Sequence, residues 1–268
     1  MANRTKGLRG VVLAMGFGLC LVGGQVGSAG AARDTAYGRM LARHVHPGTV
    51  SGIELNLVDY AALPGDPDYR QALRDFAEAD PAALSTDADR WAFWANAYNL
   101  LAIKAVVDRM PIDSIKDGGN LLFPIWGKKV GTVAGREYSL DEIEHGILRK
   151  EFDDPRVHFA VVCASLSCPD LRDEPYAGAR LDSQLDEQVE RFLANRTKGL
   201  RPGEDGASAE VSSIFKWYGE DFEGEGGVAT YLRENAGAET SARIAKLTDD
   251  GISYLDYDWT LNDAARSR

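Results

Sequence analysis

The chain has 268 residues, with 30 Lys and Arg against 41 Asp and Glu, a net charge of −11. Nucleic acid and anionic lipid both require a positive surface, so neither is an expected partner. Only three cysteines are present, too few for a fold held together by disulfides.

Residues 1–31 have the layout of a secretory signal peptide. Arg4, Lys6 and Arg9 form a basic start, Val11 to Val22 an apolar core, and Ala29-Gly30-Ala31 a small-x-small cleavage site. The apolar run is short for a membrane span, so stable membrane insertion is not expected. Leu19 before Cys20 is too bulky for a lipid-modification site. These features predict an exported protein, periplasmic or extracellular, with 32–268 as one globular domain. Without residues 1–31, 27 basic residues face 41 acidic ones, for a net charge of −14.

Asp34 to His46 reads as a short helix ending before Pro47-Gly48. Its His44-x-His46 pair faces apart on a helix and is a weak metal signal. Asp66-Pro67 opens a second helix, an N-cap oxygen followed by proline at the first helical position. A third helix runs from Asp87 or Asp89 to Arg109, where Pro111 stops it. It is apolar nearly all round, which predicts a central position. Asn96 and Asn99 then become buried amides. They either hold a neighbouring loop backbone or orient a catalytic group or oxyanion.

Lys128 to Tyr138 reads as a hairpin turning at Ala134-Gly135. Ser139-Leu140-Asp141-Glu142 is a capping box that sets the phase of the next helix. Leu140, Ile143, Ile147 and Leu148 form its apolar stripe, Glu144 projects beside that stripe, and His145 lies on its flank. Val157 to Cys163 is a continuous apolar run with the length of a buried strand. On a strand, His158 and Cys163 would occupy opposite faces. That makes His145 the expected partner for Cys163. Cys163 and Cys168 could form a disulfide in an oxidising compartment, which spacing alone does not decide.

Leu181, Leu185, Val189, Phe192 and Leu193 mark another amphipathic helix, and Arg201 to Ala209 a flexible loop. Ile214 to Phe222 and Val228 to Asn235 read as short helices. Gly251 to Asn262 alternates as a closing strand, with Leu255, Tyr257, Trp259 and Leu261 inward and Tyr254, Asp256 and Asp258 outward. An acid on this strand could orient a histidine. The whole predicts an α+β fold: a mostly helical single domain with a small, largely antiparallel sheet.

The segments RWAFWANAYNLLAIKAV, EYSLDEIEHGILRKEF, DPRVHFAVVCASLSCPDLR, IFKWYGEDF and YLDYDW resemble the motifs of the family called domain of unknown function 547 (DUF547). The resemblance covers about residues 85–222, with the strand at 251–262 as an outlier. That family includes exported bacterial proteins and plant proteins. Some plant members carry an added coiled coil, which implies partner binding there. The resemblance implies no established reaction. The positions that match its motifs are Asn96, Asn99, Glu144, His145, His158 and Cys163.

Three functional readings follow. One is a binding or scaffolding domain of the cell envelope, with a protein or small-molecule partner. A second is a thiol-dependent acyl transferase, or a hydrolase of an amide or thioester. In it Cys163 is the nucleophile, His145 its partner, and Glu144, Asn96 or Asn99 the orienting group. The chain order departs from papain-like enzymes, where the cysteine starts a helix and precedes the histidine. A metal site from His145, His158 and Cys163 is the third, although the spacing fits no zinc signature. No cofactor is expected.

Overall fold

Asp66 accepts from the Asp68 N–H and Pro67 occupies the first helical position, so the helix Pro67–Glu78 begins where the sequence predicts. The computed structural model describes residues 32–119 and 124–267; the predicted signal peptide lies outside them. The longest helix, Asp87–Val107, is capped by the Thr86 hydroxyl and buries residues on every side, among them Trp91, Tyr98, Leu101 and Ile103. The main core packs around it, drawing on Met40, Leu63, Val133, Leu140, Leu148, Leu185 and Leu261. Among the described residues no helix is long and apolar enough to cross a membrane.

The first helix ends at His44, two residues earlier than expected. Val45–Val50 instead pairs antiparallel with Ile53–Val58 across a Ser51-Gly52 turn. His44 is buried against Asp66, with Nε2 2.6 Å from its carboxylate, whereas His46 is exposed on the strand. The two histidines share no site.

The hairpin Gly131–Val133 with Arg136–Tyr138 turns at Ala134-Gly135, both with positive φ. The capping box then starts the helix: Glu142 N–H donates to Ser139 Oγ, and the Glu142 carboxylate accepts from the Ser139 N–H. α-Helical Leu140–Ile143 passes into a π-helical turn, Glu144–Leu148, and then into Arg149–Phe152. The wider turn shifts the phase by one residue. Leu148 and Glu144 both face inward and His145 is exposed.

The predicted strand Val157–Cys163 is not a strand. Val157–Ala160 is one turn of α-helix, and the chain becomes extended only from Val161. The reason lies just upstream. Asp154-Pro155 repeats the Asp-Pro helix start seen at Asp66-Pro67: Asp154 Oδ1 accepts from the Arg156 N–H and its carbonyl from the Val157 N–H. The turn divides its side chains between two cores. Val157 and Ala160 join the main one; Phe159 joins a second cluster with Phe192, Phe215, Phe222 and Tyr231.

Helices Leu181–Ala194 and Val228–Asn235 lie where the sequence predicts, whereas the helix expected over Ile214 to Phe222 stops at Trp217 and is followed by a 3-10 helix, Gly219–Glu225. The 201–209 loop is partly ordered, because its ends pair as Leu200–Pro202 with Ala209–Val211. The closing segment contributes only Ile252–Tyr254 as a strand, parallel to Ala209–Val211. Beyond it the chain stays extended and laces to distant backbone: Leu166 N–H to Thr260 O, Ser167 N–H to Asp258 O, and Asn262 N–H to Ala164 O. The fold is mixed α+β and mostly helical. Its strands form three separate small sheets among the described residues rather than one.

Candidate functional site

Cys163 lies three residues beyond the helical turn, on an extended arm held by the central helix. Asn99 donates from Nδ2 to Ala160 O and accepts at Oδ1 from the Val162 N–H, each at 2.9 Å. Ala164, next in the chain, adopts a left-handed conformation with φ 57°. Such a conformation costs a non-glycine residue about 1–2 kcal/mol, met here by the backbone bonds of 164–167 to the closing segment. Lys198, buried, anchors the far end of the loop, donating to Cys168 O at 2.9 Å and pairing with Asp170 at 2.6 Å.

This scaffold puts the Cys163 sulfur in a polar cradle. Cys168 Sγ lies 3.1 Å away, and Ser165 Oγ and Tyr257 OH each lie 3.2 Å away. Both cysteines are free. In the thiolate form of Cys163 all three neighbours donate to it. The Cys168 thiol contributes most, and together they overcome burial and bring the pKa of Cys163 down to about 7. Burial pushes that of Cys168 up, so Cys163 is the member of the pair that ionises first.

Cys163 lines a solvent-open cavity of about 300 Å³ that Glu144, His145 and His158 also line. A turn of helix and an extended arm bring His158 and Cys163 to one cavity, where a strand would have sent them to opposite faces. His158 is buried, and its Nε2 lies 2.6 Å from Asp221. Desolvation lowers its pKa to about 4, while the Arg149 and His158 bonds hold Asp221 below the ordinary carboxylate range. The neutral ring therefore donates from Nε2 to an ionised Asp221. Tyr218 stacks on the ring with centroids 4.1 Å apart. The acid that orients a histidine is thus Asp221. Asp256 is exposed, and Asp258 accepts from the Thr260 N–H.

His145 is exposed at the cavity. Arg149 donates to its Nδ1 at 3.0 Å while also making two 2.6 Å bonds to Asp221. The neutral ring then carries its proton on Nε2. Glu144 is 6% exposed, and burial raises its pKa despite the nearby Tyr98, Tyr218, His145 and Arg149. Asn96 and Asn99 do not line the cavity. Asn96 clasps Tyr176 as Asn99 clasps the Cys163 arm, donating to Tyr176 O and accepting from the Tyr176 N–H at 2.9 Å each. Their amides are spent on backbone, which is the loop-holding alternative of the two that the sequence left open. Among the described residues no group of three or more His, Cys, Asp or Glu is arranged to hold a metal ion.

The family model described as "Protein of unknown function, DUF547" matches residues 81–193. Over that span the chain is similar to the DUF547 family. The DUF547 segment supplies the central helix, Glu144, His145, His158 and both cysteines. Asp221, Tyr218, Trp217 and Tyr257 come from outside it, so the cavity needs both parts of the chain. The family description assigns no activity. No curated protein and no solved structure matches the chain.

Asp221, Ser165 and Tyr257 are the site residues that sequence reasoning missed. Tyr257 was legible as an inward position. Asp221 sits in the IFKWYGEDF segment with nothing local to tie it to a histidine 63 residues earlier.

The burial of His158, which outweighs the opposing pull of Asp221, predicts a pH dependence. An unfolded histidine titrates near 6.5, the folded one near 4. Between these values the unfolded chain binds more protons, so stability is full above about pH 6.5 and falls as the pH drops toward 4. The loss should be on the order of 2–4 kcal/mol. His158→Gln keeps a donor for Asp221 but cannot titrate. Urea unfolding across this window should be markedly flatter for that variant; an unchanged slope would mean other groups set it.

Proposed function

We propose that the cavity binds a small acyl compound and that Cys163 attacks its carbonyl carbon, making the protein a thiol-dependent acyl transferase or hydrolase. The supporting observation is the cradle of Cys163, a sulfur with three potential donors within 3.2 Å and a pKa of about 7 at the wall of an open cavity. Thiolate, not thiol, is the nucleophile. The C–S bond forms as the carbonyl opens to an oxyanion. Collapse breaks the bond to the leaving amine or thiol, which is protonated by solvent through the open cavity. Water then attacks the thioester, gives its proton to solvent, and releases the acid and the Cys163 thiolate. The basic start, apolar core and small-x-small site within residues 1–31 support an exported location for this chemistry.

The 3.1 Å sulfur–sulfur separation favours a second reading, thiol–disulfide exchange. Here Cys163 thiolate attacks a substrate disulfide and expels one thiolate. Cys168, after losing its proton, attacks the mixed disulfide and expels the other. Two electrons pass to the substrate and a Cys163–Cys168 disulfide forms.

An activated acyl ester and glutathione disulfide separate the two, with intact-mass and peptide analysis as the readout. The acyl reading expects an adduct on Cys163 in wild type and in Cys168→Ala, and none in Cys163→Ser. Exchange instead expects a glutathione adduct that persists in Cys168→Ala and resolves in wild type. Absence of any acyl adduct on Cys163 would overturn the first reading.

A further inference from the structure

The walls of the cavity have a chemistry of their own. Trp217, Trp259, Trp126 and Tyr257 form a continuous aromatic cluster: Trp217 and Trp259 stack at 5.7 Å, Trp126 meets Trp259 edge-on at 5.6 Å, and Tyr257 lies 4.8 Å from Trp217. Trp217 is 45% exposed. A contiguous aromatic patch at an open cavity rim is the usual mark of a ligand surface. The cavity's charged lining is acidic: Asp141 and Glu144 face it, and no Lys or Arg does among the described residues. Arg149, whose guanidinium lies over the Tyr218 ring of the cavity wall, is spent on Asp221 and His145.

Glu144 is the second, independent observation. It is more than nine-tenths buried, lines the cavity, and forms no ion pair within 4 Å among the described residues, its partners being the Tyr98 and Tyr218 hydroxyls. Two neutral hydroxyls leave the charge of a buried carboxylate uncompensated. The faces of the same aromatic cluster already attract an ammonium, since Lys116 Nζ sits 4.7 Å from the Trp259 ring centre.

We infer that the cavity selects a ligand bearing an ammonium group, held against the aromatic faces with Glu144 as its counter-ion. This rests on the cavity being a ligand site, as in the acyl reading above, but needs no reactive thiol. It narrows the substrate class to acyl compounds that carry a positive amine or quaternary nitrogen.

The probes are choline and its neutral isostere 3,3-dimethylbutan-1-ol, titrated at mildly alkaline pH against the tryptophan fluorescence of the full chain. The experiment uses Cys163→Ser, so that failure of the thiol chemistry leaves it untouched. Choline should bind with a Kd about tenfold lower than the alcohol, the scale of a desolvated cation–π contact. Glu144→Gln should erase most of that preference. If Glu144→Gln fails to fold, the exposed rim variant Trp217→Ala, checked by circular dichroism, should weaken choline binding several-fold. Equal affinity for the two probes, or no saturable binding of choline, would overturn the inference whatever acyl esters do at Cys163.

Discussion

Cys163 should alkylate with a pH midpoint near 7, against about 8.5 for an ordinary cysteine. Iodoacetamide labelling read by peptide mass would show it, with Cys168 unlabelled in the native state because it is buried and harder to ionise. The midpoint is a better signature than the rate. At neutral pH the lowered pKa makes roughly half the sulfur thiolate, about fifteen times the ordinary share. A weaker base is also a weaker nucleophile, with a Brønsted slope of about 0.4–0.5, and this returns most of the gain. The net acceleration is only several-fold. Cys163→Ser should remove the fast labelling altogether. Tyr257→Phe, which deletes one potential donor to the sulfur, should move the midpoint upward. A wild-type midpoint in the ordinary thiol range would remove the basis for a nucleophilic Cys163 and leave a binding pocket.

Asn99→Ala should be among the most destabilising single substitutions outside the apolar core. It strands the Ala160 carbonyl and the Val162 amide, both on buried residues, at about 1–3 kcal/mol each. Urea unfolding would measure the loss. The same residue positions the nucleophile, because the two groups it clasps flank Val161, on the approach to Cys163. A variant that still folds should therefore also lose the lowered midpoint of Cys163 alkylation, a change that destabilisation alone would not produce. A loss below about 0.5 kcal/mol, ordinary for a surface substitution, would mean the clasp is absent in solution.

The two asparagines show how far a single sequence reaches. Their spacing on an apolar helix identified them as buried amides in need of partners. Nothing in the chain said that those partners were Tyr176, Ala160 and Val162, because a hydrogen bond across 61–80 residues leaves no local trace. The misread segment 157–163 makes the same point from the other side. Its apolar run is compatible with strand or helix, and the deciding signal, Asp154-Pro155, lay outside the run.

Local chemistry settled the capped helix starts, the hairpin at Ala134-Gly135, the inward Glu144 and the central place of the apolar helix, since each depends on neighbours within a turn or two. Only the tertiary structure decided what surrounds the sulfur. Cys168, Ser165 and Tyr257 converge on it, Asp221 and not a closing-strand acid orients a histidine, and the aromatic wall gathers from three distant segments. The physical reason is range: caps and periodicity are set by covalent proximity, whereas a polar cradle forms only after burial has brought remote side chains together and required each to find a partner.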